Sequence, residues 1–257
     1  MTRWLTVGLS VLAAVLATLA SAKAEACHDL EDHGAAYTVC TVEAGRGDLR
    51  LFLRDGTGRP YATFAQLAAA LAQEKQTLVF AMNAGMFEQD LSPVGLYVEG
   101  GAQRKAANTG DGPGNFHMKP NGVFWFGPHG AGVMETRAYL AAHLHPAFAT
   151  QSGPMLVIDG AIHPKLQPDG TSEKIRNGVG VRDHGRTIVF AISRDPVSFY
   201  RFASLFRDAL GCDNALFLDG TISSLYAPGL GRTMQLLPVG PMIGLTEKAP
   251  ASGHHEE

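Results

Sequence analysis

Short glycine-containing turns divide the middle of the chain into pairs of apolar segments, and this pattern restricts the fold more than any other sequence feature. Asp159-Gly160 and Asp183-His184-Gly185 are two of these turns. Connections this short join antiparallel strands, because parallel strands need a crossover of a dozen or more residues. The turns predict hairpins that pair residues 96–98 with 102–104, 123–126 with 132–135, 155–158 with 161–163, and 179–182 with 186–192.

Two amphipathic segments predict helices beside these hairpins. In residues 63–74, Thr63 and Gln66 have the spacing of a capping box. Residues 198–210 repeat apolar side chains at helical spacing and end at Gly211. A chain of 257 residues with 46% hydrophobic residues can bury the core of one domain. We predict an α+β fold with a twisted, mixed, largely antiparallel β-sheet and a few flanking helices.

The first 24 residues have the pattern of a secretory signal. Arg3 precedes an uncharged apolar run over residues 5–20, and Ala22, Ala24 and Ala26 fit an A-x-A cleavage site. The alternative of a membrane anchor needs roughly 20 apolar residues, which is longer than this run. A lipid anchor on Cys27 is a second alternative. We expect residues 1–24 to be removed, which leaves an exported protein without a stable membrane anchor, in the periplasm or secreted.

Export has a consequence for the cysteines of the remaining chain, which we expect to form a single domain over residues 25–257. Cys27, Cys40 and Cys212 are its cysteines. In an oxidising compartment nearby cysteines tend to pair, so we predict a disulfide between Cys27 and Cys40. Cys212 lies beside an apolar run, and we predict a buried free thiol there.

The charge balance and the motifs that the sequence lacks exclude several function classes. The net charge of −3 leaves no basic excess for a nucleic-acid partner. The sequence has no G-x-S-x-G elbow, no P-loop, no G-x-G-x-x-G after a strand and no H-E-x-x-H. The ten histidines are scattered, and the His143/His145 pair has no nearby ligands that would complete a zinc set.

Three apolar runs end in polar residues, and these ends are candidates for a ligand site. Asn83, Asp219 and the Ser193-Arg194 pair each follow four or five consecutive apolar residues. Such runs are typical of strands buried on both faces, and ligands often bind where buried strands end. If the strands are neighbours, Asn83, Asp219 and Arg194 converge at one rim. The alternative is that the Asn and Asp positions only form turns.

Six short motifs follow one another between about residue 37 and residue 243. They are Asn83-Ala84-Gly85-Met86-Phe87, Pro93-Val94-Gly95-Leu96, Asn121-Gly122-Val123-Phe124, Ser152-Gly153-Pro154-Met155-Leu156, Arg176-Asn177-Gly178-Val179-Gly180 and Leu218-Asp219-Gly220-Thr221-Ile222-Ser223-Ser224. Each is unspecific alone, but in this order the series resembles the phosphodiester glycosidase family. The resemblance implies hydrolysis of the bond between an anomeric carbon and a phosphodiester oxygen.

The chain departs from the family pattern at two motifs. The family's Asn-Gly-Gly-Phe-Phe carries Ala84 and Met86 here, and its Leu-Asp-Gly-Gly-Gly-Ser carries Thr221 and Ile222. Replacing two glycines by larger residues narrows the space near the backbone. The chain thus resembles a bacterial-type branch, and the N-acetylglucosamine substrate of the family's uncovering enzyme does not carry over to it directly.

The reaction that the resemblance implies defines which groups a site needs. An oxocarbenium-like sugar calls for a facing carboxylate, and the acidic phosphate leaving group calls for cations or amides. The implied catalytic residues are Asp219, Asn83 and Arg176, and the implied substrate-binding residues are Arg194, Asn121, Ser152, Gly85 and Gly220. Turns or local ion pairs are the structural alternatives for these positions. No cofactor is required, although Ca²⁺ or Mg²⁺ stays open.

Two other function classes remain open from the sequence. A non-catalytic envelope module would bind glycan or anionic polymer through the same pocket. A metal-dependent phosphodiesterase would cleave the P–O bond, with Asp219, Asp195 and Asn83 as oxygen ligands for the ion. Under the glycosidase hypothesis the partner is a small-molecule or glycan substrate that carries a sugar-phosphate diester.

Overall fold

The computed structural model describes residues 26–45, 48–219 and 222–249. The signal predicted for residues 1–24 and the predicted site residue Gly220 lie outside these ranges. The strands are β1 (Cys27–Asp32), β2 (Ala35–Glu43), β3 (Asp48–Phe52), β4 (Gln76–Asn83), β5 (Tyr97–Glu99), β6 (Ala102–Lys105), β7 (Gly122–Gly127), β8 (Gly130–Glu135), β9 (Phe148–Ser152), β10 (Met155–Ile158), β11 (Ala161–Ile162), β12 (Asn177–Arg182), β13 (Thr187–Ser193), β14 (Asn214–Asp219), β15 (Leu225–Tyr226) and β16 (Met242–Lys248). The helices are α1 (Phe64–Gln73), α2 (Thr136–Ala141) and α3 (Phe199–Ser204), with a π-helical turn at Leu205–Ala209 and 3₁₀ turns at Asn115–His117 and Pro228–Leu230.

These strands pair into three sheets. The strand orders are β1-β2-β13-β12-β14-β10-β11, β15-β4-β16-β3 and β6-β5-β9-β7-β8. The four predicted hairpins are present as β5–β6, β7–β8, β10–β11 and β12–β13. The predicted α+β class is confirmed, with mostly antiparallel sheets and few helices. Three sheets replace the single mixed sheet we expected, because strongly twisted sheets of many strands split into packed sheets that bury their inner faces against one another.

One apolar core lies between the three sheets. The ring of Phe190 on β13 contacts Phe80 on β4 and Phe124 on β7, at centroid distances of 5.6 and 6.0 Å. Each sheet therefore contributes an aromatic side chain to the same cluster. Helix α3 covers the outer face of the seven-stranded sheet, and α1 covers the four-stranded sheet. Because both faces of the seven-stranded sheet are buried, the sequences of β13 and β14 are continuous apolar runs.

Helix α1 begins where the capping pattern predicts. The hydroxyl of Thr63 accepts a hydrogen bond from the backbone N–H of Gln66 at 3.2 Å. Phe64, Leu67 and Leu71 form its buried face against the four-stranded sheet. The first predicted helix is confirmed, because the local cap and the apolar spacing agree with the packing.

The second predicted helix is confirmed at its start but differs in its last turn. Ser198 caps α3, as its hydroxyl accepts from the N–H of Arg201. In the following π-helical turn, the N–H of Leu210 donates to the carbonyl of Leu205 at 3.0 Å. The carbonyl of Phe206 instead accepts from Cys212 at 2.8 Å. In a continued α-helix the carbonyl of Phe206 would accept from the N–H of Leu210. Here it accepts from Cys212, because the chain turns towards β14 at this point.

Both predictions about the cysteines are confirmed. Cys27 and Cys40 face each other on β1 and β2 and form a disulfide. Cys212 is free and buried, and burial raises the pKa of its thiol to about 12. Within the described ranges, no helix has the length and apolar character to cross a membrane. Export, and the extent of the domain over residues 25–257, stay predictions.

Candidate active site

Three polar residues from two sheets meet where their strands end. Asn177, the first residue of β12, is fully buried, and its amide nitrogen donates to the backbone and side-chain oxygens of Asn83 at 3.0 and 3.1 Å. Its amide oxygen accepts from the backbone N–H of Asp219 at 2.9 Å. Asn83 ends β4 and Asp219 ends β14. Asn177 thus fixes the two strand ends against each other, and we call Asn83, Asn177 and Asp219 the asparagine bridge.

The side chain of Asn83 has one bonded end and one unpaired end. Its oxygen accepts from Asn177 and from the backbone N–H of Ser224 at 2.8 Å. Its amide nitrogen is buried and has no hydrogen-bond partner within the described part of the chain. An unmet buried donor costs roughly 1–3 kcal/mol. The amide nitrogen of Asn83 is therefore a buried donor beside the strand end that carries Asp219, and the described residues give it no acceptor.

A cleft of about 780 Å³ adjoins the asparagine bridge. Ser223 connects the two, because it lines the cleft while its hydroxyl bonds to the backbone oxygen of Asp219 and to the side chain of Asn177. Ser193 and Ser224 line the same wall. Asp219 itself is partly buried at the end of β14.

Two arginines in this cleft share one carboxylate, and we call Arg194 and Arg232 the arginine pair. Arg194 lies 3.1 Å from the nearer carboxylate oxygen of Asp29, and Arg232 bonds to both oxygens at 2.9 and 3.1 Å. The hydroxyl of Thr38 donates to the same carboxylate at 2.8 Å. One negative charge faces two positive charges, so the cluster has one excess positive charge. The arginine pair is thus held in place and remains attractive to an anion.

Arg176 has a different environment from the one predicted for a phosphate ligand. Its side chain is 1% exposed and donates to the carbonyls of Val197 and Ser172 at 2.8 and 2.7 Å. Its guanidinium lies 3.5 Å from the ring centroid of Phe199, and burial lowers its pKa to about 10. Its backbone pairs with Ser193, which precedes Arg194. These contacts favour a role in fixing the strand ends that line the cleft.

Asn121 and Ser152 also use their side chains inside the fold. Asn121 donates to the carbonyl of Phe116 and accepts from the hydroxyl of Thr136, at 2.9 and 2.8 Å. The hydroxyl of Ser152 donates to the carbonyl of Leu218 at 2.7 Å, one residue before Asp219. The structure gives neither of them a contact with the cleft, and their predicted role in binding substrate stays a prediction.

Gly85 lies against the neighbouring strand β9. Its N–H donates to the hydroxyl of Thr150 at 3.2 Å, and a Cβ at this position would lie 2.3 Å from the carbonyl oxygen of Gln151. Close packing between backbones therefore requires a glycine here. This packing holds the segment that follows Asn83, and a direct contact of Gly85 with substrate stays a prediction.

Sequence reasoning missed three residues of this arrangement. Asn177 stood in a recognised motif beside Arg176, but successive side chains on a strand point to opposite faces, and only the fold shows which face carries the site. Arg232 and Asp29 are 203 positions apart, and neither has a local signal. One signal could have identified Asn177. It is a polar residue at the start of a strand, and Asn83 and Asp219 are polar residues at the ends of two other strands.

The metal-dependent alternative would need a cluster of oxygen ligands for the ion. Across residues 26–45, 48–219 and 222–249, no group of three His, Cys, Asp or Glu side chains has an arrangement that could hold a metal ion. In the set proposed for the metal-dependent alternative, the carboxylate of Asp195 accepts from the backbone N–H of Ala36 at 2.8 Å. The described side chains therefore give this alternative no support.

Comparisons with known proteins agree with the motif series. Residues 76–244 match the family model described as phosphodiester glycosidase. The chain is 35% identical over 237 residues to the uncharacterized protein YigE of Escherichia coli (strain K12), with 92% of each chain covered.

Solved structures show a similar fold at low sequence identity. The catalytic domain of zebrafish N-acetylglucosamine-1-phosphodiester alpha-N-acetylglucosaminidase, auto-inhibited by its pro-peptide, gives a TM-score of 0.57 with 15% identity, covering 85% of this chain and 81% of that chain. A candidate exported protein from Burkholderia pseudomallei K96243 gives 0.53 with 13% identity, covering 82% and 74%. The family model, matched over most of the chain, decides the assignment. As the order of its motifs predicts, the chain belongs to the phosphodiester glycosidase family, a family of glycosidase-type hydrolases.

Proposed function

We propose that this protein is an exported hydrolase that cleaves the glycosidic C–O bond of a sugar-phosphate diester. One observation carries the proposal: a pair of arginines with excess positive charge lines a cleft that adjoins a strand end bearing a carboxylate, Asp219. Family membership supports the reaction class. The disulfide between Cys27 and Cys40 supports export, since such bonds persist in oxidising compartments.

The arginine pair is suited to the phosphodiester. Guanidinium groups form paired hydrogen bonds with phosphate oxygens. Asp29 holds both groups, so they need little reordering when the substrate binds. Their charge also stabilises the phosphate monoester that leaves.

Asp219 and Asn83 are suited to the sugar. In the proposed reaction the bond between the anomeric carbon and the phosphate oxygen breaks, and its electron pair leaves with the phosphate. Asp219 stabilises the resulting positive charge on the sugar, as a carboxylate does in glycosidases. Water then supplies its oxygen to the anomeric carbon, and the proton that it loses passes to the solvent. The unpaired amide of Asn83 donates to a sugar hydroxyl or to a phosphate oxygen.

Arg176, Asn121 and Ser152 support this site indirectly in the proposal. The backbone of Arg176 bonds to the backbone N–H and to the hydroxyl of Ser193, which precedes Arg194, and the hydroxyl of Ser152 bonds to the residue before Asp219. We therefore propose that these residues position the site. This role does not require the direct contacts with substrate that the sequence predicts for them. Asn121 holds the turn before β7 through its two hydrogen bonds.

Turnover of a panel of sugar-1-phosphodiesters, including UDP-N-acetylglucosamine, tests the proposal. We expect the wild-type protein to release free sugar, and we expect Asp219→Asn to lower kcat by about 100-fold or more, since a carboxylate facing a cationic transition state is lost. Asp213→Asn, an exposed aspartate before the other end of β14, is the matched control and should keep full activity. Equal rates for Asp219→Asn and wild type would remove Asp219 from the mechanism.

The position of bond cleavage separates the proposal from its alternatives. Reaction in H₂¹⁸O should place the label on the sugar, because water attacks the anomeric carbon. A label on the phosphate, with activity lost in EDTA and restored by Ca²⁺ or Mg²⁺, would instead indicate a phosphodiesterase. Saturable binding of the panel without turnover would indicate a binding module.

A further inference from the structure

One segment beside the arginine pair holds most of the exposed large apolar side chains. Met234, Leu236 and Leu237 are 82%, 88% and 53% exposed, and all three line the cleft. The other such residue in the described part of the chain is Leu140 on α2. We call Met234, Leu236 and Leu237 the apolar lip.

The exposure of the apolar lip is fixed by the hydrogen bonds of its own segment. Gln235, between Met234 and Leu236, accepts from the N–H of Phe64 at 2.8 Å and donates to the carbonyls of Ala62 and Leu237. Because Gln235 is bonded to the start of α1, its two neighbours are held towards solvent.

The ends of this segment are fixed as well. Arg232 exchanges two backbone hydrogen bonds with Ala227, at 2.7 and 3.1 Å. Val239 is fully buried and donates to the carbonyl of Ala62 at 2.9 Å. The apolar side chains therefore belong to an anchored segment and stay exposed to water. This exposure is unfavourable in free energy, and a ligand that covers the side chains would remove that cost.

The apolar lip and the arginine pair belong to the same cleft. Arg232 precedes Met234 by two residues, and Leu230 and Leu225 add apolar surface on the same walls. The volume of about 780 Å³ is in the range of small-molecule sites. An anion would bind at the arginine pair, and hydrocarbon attached to it would cover the lip.

We infer that the substrate's phosphate carries a hydrocarbon aglycone, such as an alkyl, acylglycerol or polyprenyl group. This inference rests on the proposed function and names the part of the substrate that leaves with the phosphate. The arginine pair binds the phosphate, and Met234 and Leu236 contact the hydrocarbon. Amphiphilic sugar-1-phosphodiesters are the class that matches both features.

Binding of two simple phosphates tests the inference separately from catalysis. We expect titration calorimetry on the full exported chain to give a Kd for octyl phosphate, below its micelle concentration, at least about tenfold lower than for methyl phosphate. Burial of two methylene groups is enough for that preference. The double variant Met234→Ser/Leu236→Ser should lose the preference, whereas Leu140→Ser, a matched exposed leucine on α2, should keep it.

The outcomes distinguish a failure of this inference from a failure of the proposed function. Equal Kd values for the two phosphates would overturn the inference, even if methyl sugar phosphodiesters are hydrolysed. An octyl preference that persists in the double variant would also overturn it. Sedimentation with phosphatidylglycerol vesicles without an octyl preference would overturn it in favour of a membrane contact. An octyl preference abolished by the double variant supports it, and failure to hydrolyse any octyl sugar phosphodiester would then refute the proposed reaction alone.

Discussion

Removing the side chain of Asn177 tests whether the asparagine bridge holds the two sheets together. In Asn177→Ala, the backbone N–H of Asp219 loses the acceptor at 2.9 Å and the backbone oxygen of Asn83 loses the donor at 3.0 Å. The position is fully buried, so water does not easily replace these bonds. At roughly 1–3 kcal/mol for each unmet buried group, we expect the free energy of unfolding to fall by about 3 kcal/mol.

Equilibrium unfolding in urea, followed by circular dichroism under non-reducing conditions, measures this loss as a lower midpoint at unchanged slope. Asn214→Ala is the matched control on β14, because both hydrogen bonds of its side chain are exposed. It accepts from the backbone N–H of Asp159 at 3.1 Å and donates to the carboxylate of Asp159 at 3.4 Å. We expect that variant to lose less than about 1 kcal/mol. A loss in Asn177→Ala no larger than in Asn214→Ala would refute the claim that the bridge joins β4 to β14.

Three further predictions concern Arg176 and the cysteines. Arg176→Ala should lower the free energy of unfolding by about 2–5 kcal/mol, because it leaves a cavity beside Phe199 and removes the hydrogen bonds to the carbonyls of Val197 and Ser172, whereas the partly exposed Arg194→Ala should cost under about 1 kcal/mol. Thermal unfolding of both variants measures the contrast, and equal losses would contradict it. Reducing the disulfide between Cys27 and Cys40, which are 13 residues apart, should cost about 3 kcal/mol in urea unfolding, and an unchanged midpoint after reduction would contradict this. Cys212, with its pKa raised to about 12, should resist iodoacetamide at pH 8 in the folded protein and react in urea, as mass spectrometry would detect; rapid labelling of the folded protein would refute its burial.

The contrast between Arg176 and Asn177 shows where the sequence interpretation reached its limit. Both residues stand in one motif, just before the strand that the sequence predicts over residues 179–182, and the observed strand β12 begins at Asn177. Arginine was the natural choice for a phosphate ligand, yet its side chain lies on the α3 side of the sheet beside Phe199. The neighbouring Asn177 faces β4 and makes the contacts at the candidate site. The sequence shows that successive side chains of a strand point to opposite faces of the sheet. Which face carries the site depends on the elements that pack against it.

Local features of this chain were determined by its sequence. The cap at Thr63, the hairpin turn at Asp159 and the pairing of Cys27 with Cys40 follow from interactions between residues close in the chain. The motif order also identified the family. Each of these depends on short-range geometry or on a residue pattern that can be read directly.

Long-range contacts were decided by the tertiary structure. Asn177 meets Asn83 across 94 positions and Asp219 across 42, and Asp29 meets Arg232 across 203. No local preference encodes which strand ends lie together, because that depends on how the three sheets pack around their shared core. The asparagine bridge, the arginine pair and the cleft that the pair lines exist only after the sheets have packed, and for this reason they could not be derived from the sequence.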